Sequence, residues 1–295
     1  MTEMPSSRRS AFQVLTGVFS LPAGARLGAG PTIAALVLAL IVLASICAPL
    51  YVPYDPLSMD AMSRLKPPSD AHLLGTDPYG RDIFSRVMTG GRVSLLIGIG
   101  AAIVSVAVGL VIGLFAGFFR AADGIIMRIM DSLMAIPAIL LAIALVALNG
   151  PSLSSVIIAI TIPEVPRVVR LVRSVVLSAR EEPYVEAAIA LGSSMPKILI
   201  QHLMPNTLAP LIVQGTYICA SAILIEAILS FLGAGVSTEI PTWGNIMAEG
   251  RSYFQIKPGL IFWPGLLLSL CILCINLLGD TARDLLDPRM KKREG

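Results

Sequence analysis

Charge is scarce in this sequence. Asp, Glu, Lys and Arg supply 14% of its 295 residues and the hydrophobic set 55%, so there is too little polar surface to cover a soluble globule of that length. A soluble class is excluded, and a mean hydropathy of +0.81 assigns the chain to lipid. The net charge is only +3 at pH 7, and the basic residues flank apolar blocks. Nucleic acid is therefore excluded as a partner, while a bilayer surface is expected. Histidine is nearly missing: His72 and His202 are the only two, far apart in polar stretches. H-E-x-x-H, G-x-S-x-G and G-x-x-x-x-G-K-[ST] are all absent. These absences exclude a zinc hydrolase, a serine hydrolase and a loop cradling ATP phosphates, so no enzyme is expected. Gly98 and Gly100 follow no strand and are no nucleotide fingerprint. Cys47, Cys219, Cys271 and Cys274 all sit in apolar segments, where cysteine acts as a small hydrophobe and no disulfide framework is implied. Cys271 and Cys274 form a C-x-x-C without the accessible, polar-supported thiolates that redox or metal chemistry needs. Packing is the better reading, with no metal site and no cofactor in this chain.

What is abundant is long apolar runs. A bilayer core needs about 20 apolar residues as helix, and such blocks lie near 32–50, 93–119, 130–148, 207–233 and 259–279. A sixth, 151–169, is interrupted by Pro163, Glu164 and Pro166. Charge bias decides for it. With about six spans and both termini inside, 15 Lys and Arg fall inside and 7 outside. Deleting the fourth span would move Arg167, Arg170, Arg173, Arg180 and Lys197 outside, against the positive-inside rule. The chain therefore reads as an all-α integral membrane protein. Its expected divisions are a cytoplasmic tail at 1–30, a first span and outer loop at 31–92, a five-helix core at 93–280 and a cytoplasmic tail at 281–295. Arg8, Arg9 and Arg26 precede a block long enough to span, as in an uncleaved signal anchor. Gly109, Gly113 and Gly117 repeat every four residues and mark a helix face that a neighbour can approach closely.

The most informative stretch joins spans four and five within 170–206 and reads EEPYVEAAIALGSSMPKILIQHLMPN from Glu181 to Asn206. Pro183 suits a first helical turn, and Gly192 is placed to end that helix in a left-handed conformation. Ser193 or Ser194 can cap a second helix with Pro196 in its first turn, running until Pro205 interrupts or kinks it. Ala187, Ala188 and Ala190 then offer a smooth surface to a partner's groove. The plainer alternative is an amphipathic helix lying on the membrane.

Glu186, Ala187 and Ala188, then Gly192, then Pro205, resemble the cytoplasmic EAA loop of bacterial ABC importer permeases. His202 stands where that pattern often has an apolar residue. LLGTDPYGRDIFSRVMTGGRVSLL from Leu73, EAILSFLGAG from Glu226, PTWGNIMAEGR from Pro241 and NLLGDTARDLLDPRMK from Asn276 are similar to the C-type permeases of dipeptide and oligopeptide importers. The resemblance implies a type I, MetI-like permease bundle in the bacterial cytoplasmic membrane, with Tyr184, Glu186, Ala187, Ala188, Gly192, Pro205 and Asn206 in the ATPase-coupling loop. It also implies a second homologous permease, two ATP-binding subunits that carry the ATP and Mg, and a solute-binding protein outside. The cargo it implies is a peptide, or in close relatives nickel complexes, glutathione or oligosaccharides. A secondary transporter is the rival from another class, although no matching pair of broken segments appears in two halves.

Ionisable residues at membrane depth are functional candidates by default. Glu226 is expected to face the bundle interior and shape a gate or pathway. Asp131 is expected to pair locally with Arg128, or with Arg167 or Arg170 of the next span. Asn276 is a weaker pathway candidate, and Asn149 reads as a helix-bonding amide. Asp82 to Met88 is expected to form a separate short helix on the outer side, with Ile83 and Val87 on one face.

Overall fold

The computed structural model describes residues 28–286. Arg8, Arg9, Arg26 and the basic residues beyond Arg283 lie outside the described residues, as do most of the two expected tails. The long helices are α1 (Ala29–Tyr51), α2 (Ile83–Phe118), α3 (Arg120–Met134), α4 (Ala138–Asn149) and α5 (Leu153–Arg180). Short α6 (Pro183–Ala190) and α7 (Met195–Lys197) follow, then a π-helical turn (Ile198–Leu203) and α8 (Met204–Phe231). Short α9 (Trp243–Gly250) and long α10 (Gly259–Leu286) complete the described chain. Residues 52–82, 150–152 and 232–258 gather on one face of the bundle, and residues 181–203 project from the other.

Four helical stretches are long and apolar enough to cross a membrane: α1, α2, the continuous run Met195–Phe231, and α10. The third span differs from the straight helix expected at 130–148. It is a pair, α3 and α4, bent by 88°. Pro137, at the start of α4, cannot supply the N–H that would carry the helix through. The fourth span is longer than expected. Its 28-residue helix passes uninterrupted through Pro163 and Pro166, and its charges keep it off the purely apolar set. By length and composition the described helices thus give four spans, or five with the bent pair counted as one, and this helix packs with Val168, Val172 and Val176 fully buried against α2.

Helix α2 corrects a second expectation. Asp82 to Met88 is no separate outer helix, and the division at 92 falls inside a single 36-residue helix. Asp82 caps its start by accepting the Ser85 N–H at 2.8 Å. Gly90 and Gly91 do not break it because their missing side chains admit the Thr242 backbone and the Trp243 ring. Further along α2, Gly109, Gly113 and Gly117 receive Val168, Val172 and Val176 in turn. That ladder lets α2 and α5 approach closely, as the four-residue glycine spacing predicts.

Candidate functional site

The loop between α5 and α8 is built as a helix, a left-handed turn and a second helix. Pro183 occupies the first turn of α6, where its missing N–H is no loss. Gly192 has φ +72°, a conformation that disfavours side chains carrying Cβ. The Ser193 N–H returns to the Ala188 carbonyl at 3.0 Å, closing the helix end. Ser194 takes the cap position of α7 with no side-chain cap bond, so the capping expected of the serines is not made. Pro205 does not interrupt the second helix either. It lies in the first turn of α8, and the helix runs on through the π-helical turn that contains His202.

Apolar residues hold this element to the bundle. Val185, Ile198, Leu199 and Leu203 are buried with Val172, Val176 and Ala179 of α5. Ala188 belongs with them: it is 8% exposed and faces inward one turn from Val185, not outward as expected. The surface left open carries Tyr184, Glu186, Ala187, Ala190 and Leu191, with Leu191 86% exposed. Asn206 ties the two halves together, donating to the Tyr184 hydroxyl at 3.0 Å and to the His202 carbonyl at 2.6 Å. Behind the loop, Arg180 donates to the Phe118 carbonyl at 3.1 Å, and Arg173 forms a two-pronged pair with Asp123 of α3. Contacts thus run from α6 to α5, and from α5 to α2 and α3.

The opposite face contains a cluster not foreseen from the sequence. Asp77 and Glu249 both bind Arg81 and Arg86. Arg81 donates to Asp77 at 2.6 Å and to Glu249 at 2.5 Å, and Arg86 donates to Glu249 at 2.6 Å and 3.1 Å. Asp77 and Arg86 are completely buried. The only hint was the charge density of GTDPYGRDIFSR beside that of AEGR. Around the cluster, Trp243 of α9 donates its indole N–H to the Val87 carbonyl at 3.0 Å, and His72 Nδ1 lies 2.9 Å from Asp82. In the preceding loop Asp60 caps a short 3₁₀ turn, and the Ser63 hydroxyl beside it holds its carboxyl below the usual range.

Glu226 lies close by, near the end of α8. It is fully buried, accepting the Ser230 hydroxyl at 2.8 Å and that of Ser94 at 3.4 Å. Gly244 of α9 fits against it, where a Cβ would come 3.2 Å from its Oε1. Asn276 is half-buried on α10. Asp131 pairs with Arg170 at 2.6 Å, one of the local pairings expected for it. Cys271 and Cys274 are buried free thiols. Asn149 bonds within its own helix, to the Leu145 carbonyl at 2.8 Å.

Residues 109–292 match the family model described as binding-protein-dependent transport system inner membrane component. A probable peptide ABC transporter permease protein of Sinorhizobium fredii is 52% identical over 85% of this chain and 86% of its own length. A di/tripeptide transport system permease protein of Pseudomonas aeruginosa is 42% identical, covering 87% of each chain. A glutathione transport system permease protein of Pectobacterium atrosepticum is 40% identical over 88% of this chain and 86% of its own. Among solved structures, the native crystal form of the inward-facing MetNI methionine ABC transporter matches with TM-score 0.50 and 19% identity. It covers 70% of this chain and 94% of that one, a likeness of fold.

Proposed function

Because this chain belongs to the binding-protein-dependent transport system inner membrane component family, and is a multi-pass permease subunit of an ABC importer, we propose that its cargo is a di- or oligopeptide. The names of the relatives support that class, and glutathione, itself a modified peptide, fits within it. The permease works with ATPase and substrate-binding partners. Our finer reading is that a second, homologous permease completes the path, because a bundle of this size offers only one wall. Two separate ATPase subunits carry ATP and Mg and perform the hydrolysis. The face bearing Gly192 is cytoplasmic, as are both termini, and the face bearing Trp243 receives the loaded binding protein.

The observation that carries this reading is the helix, turn and helix at 183–203, bonded through Asn206 and Arg180 to the spans but leaving Leu191 and the Ala187 side of α6 uncovered. The ATPase receives that surface in the loop formed by Tyr184, Glu186, Ala187, Ala188, Gly192, Pro205 and Asn206. ATP binding draws the ATPases together and stabilises one arrangement of the bundle over the other; this difference turns a channel-like bundle into a pump. Glu226, wedged between α8 and α9, links the outer helix to the span and so takes part in the outer gate.

The test is uptake of labelled dialanine into proteoliposomes holding this chain, its partner permease and the binding protein, with and without the ATPase subunits. Import that requires the ATPases and ATP supports the reading. Uptake driven by an ion gradient in their absence would make the chain a secondary carrier.

A further inference from the structure

On the face that carries Trp243, the end of α8, the loop after it and α9 border a cavity of about 470 Å³, within the size range of small-molecule sites. Asn245, Glu249 and Arg251 line one side of it. Asn245 is 3% exposed, and its side-chain amide donates to the carbonyls of Val236, Ser237 and Ile240 at 3.2, 3.1 and 3.1 Å. It thereby pins the loop that follows α8. Gly235 folds that loop against the helix, where an added Cβ would collide with the Ser230 hydroxyl. Gly235, Val236, Ser237 and Thr238 supply the facing wall of the cavity.

The carbonyls of Val236 and Ser237 are engaged, but the N–H groups of this loop are not. Among the described residues, the backbone N–H groups of Gly235, Val236, Ser237 and Thr238 donate to no acceptor of the chain, although Gly235 and Val236 are buried. Buried N–H groups rarely go without an acceptor, and successive free ones favour an anion. Arg251 adds a full positive charge on the other wall. Its guanidinium lies over the Phe231 ring, 5.4 Å from the centroid, a stacking that leaves the N–H edges of the fork open to a carboxylate. Among the described residues Arg251 pairs with no carboxylate, whereas Arg81 and Arg86 share Asp77 and Glu249. That cluster balances two carboxylates with two guanidiniums, so Arg251 is the uncompensated charge of the cavity.

We infer that this cavity is a carboxylate site, in which Arg251 and the N–H groups of residues 235–238 receive the C-terminal carboxylate of a peptide passing from the binding protein into the bundle. The inference rests on the import reading above and names a contact for its cargo. Ser230 lines the same cavity and donates to Glu226 at 2.8 Å, so the site adjoins the carboxyl assigned to the outer gate.

The experiment uses the assembled transporter and its binding protein in proteoliposomes. Uptake of dialanine and of dialanine amide, which lacks the carboxylate, is compared with the binding protein saturated by either peptide. Arg251→Gln is expected to slow dialanine uptake about tenfold and leave the amide unchanged, because only the carboxylate loses a charged hydrogen bond. Equal effects on the two peptides overturn the contact. An acidic side chain of the binding protein is the other source of a carboxylate. The concentration of loaded binding protein that half-stimulates ATP hydrolysis is therefore measured too, and is expected to be unchanged in Arg251→Gln; a rise of the same size with either peptide assigns Arg251 to docking and overturns the cargo site. Thr238→Cys, with Cys47, Cys219, Cys271 and Cys274 replaced by alanine, is then treated with an anionic and a cationic methanethiosulfonate. The anionic reagent is expected to react about tenfold faster, and to lose that lead when Arg251→Gln is added; no preference for the anion overturns the site. Should the unsubstituted transporter import neither peptide, the peptide reading fails and the cargo contact with it, while the labelling still decides whether the cavity draws an anion.

Discussion

Gly113 and Val172 face each other so closely that a Cβ on the glycine would lie 2.6 Å from the valine Cβ. The same relation recurs one turn on at Gly117 and Val176. These contacts hold α2 closely against α5, the helix that leads directly into the loop bearing Gly192.

Overpacking that seam should therefore cost more than a general change of side-chain size. Gly113→Leu is expected to destabilise the subunit by about 1–3 kcal/mol. Gly124→Leu on α3, where an added Cβ meets nothing within 4 Å, should be neutral or slightly stabilising through helix propensity. Thermal unfolding in detergent, followed by the fraction remaining monodisperse, compares the two. Equal midpoints would mean that the close approach carries no energetic weight.

Gly192 makes a different demand. Its φ of +72° lies in open space, so the constraint comes from backbone conformation and not from crowding. Gly192→Pro fixes φ near −65° and should break the turn between α6 and α7. Uptake is expected to collapse while the subunit still folds and inserts. Wild-type uptake in that variant would refute force transfer through the loop.

Asp77 is buried between two arginines, so removing its charge leaves Arg81 and Arg86 with only Glu249. Breaking a buried pair on one side typically costs about 3–5 kcal/mol. Asp77→Asn should lower the yield of folded protein sharply. Asp60→Asn, on an exposed carboxylate in the same loop, should not. Expression with size-exclusion profiles distinguishes them, and equal yields would show that the cluster is dispensable.

Glu226→Gln preserves shape and an acceptor for Ser230 while removing the ionisable group. Coupling across the outer gate is expected to weaken by about 0.5–2 kcal/mol, read as slower uptake at little cost in stability. Unchanged uptake together with unchanged transport-coupled ATP turnover would withdraw Glu226 from the gate.

Local patterns in the sequence were enough for the membrane class, the helix, turn and helix between α5 and α8, and the glycine seam. Apolar block length sets what can span, Gly192 after a two-turn alanine-bearing segment sets the turn, and glycines spaced by four set one small-residue face. Each depends on residues within a few positions of one another. Pro163 and Pro166 weakened the hydropathy signal of the fourth helix, which charge bias retained, and the packed helix keeps its course through both. Ala188 misled because exposure depends on which face of a short helix the spans happen to cover.

Sequence alone determined that this chain lives in lipid and where a left-handed turn interrupts the loop, because hydropathy and backbone sterics act locally. Only the tertiary structure decided that Asp77, Arg81, Arg86 and Glu249 share one buried cluster, that Asp280 meets Tyr217, and that Ala188 turns inward. Glu249 stands far along the chain from the other three, as Asp280 does from Tyr217, and Ala188 lies on one of several similar faces of its helix. Their meeting is set by how whole helices pack, not by any nearby residue.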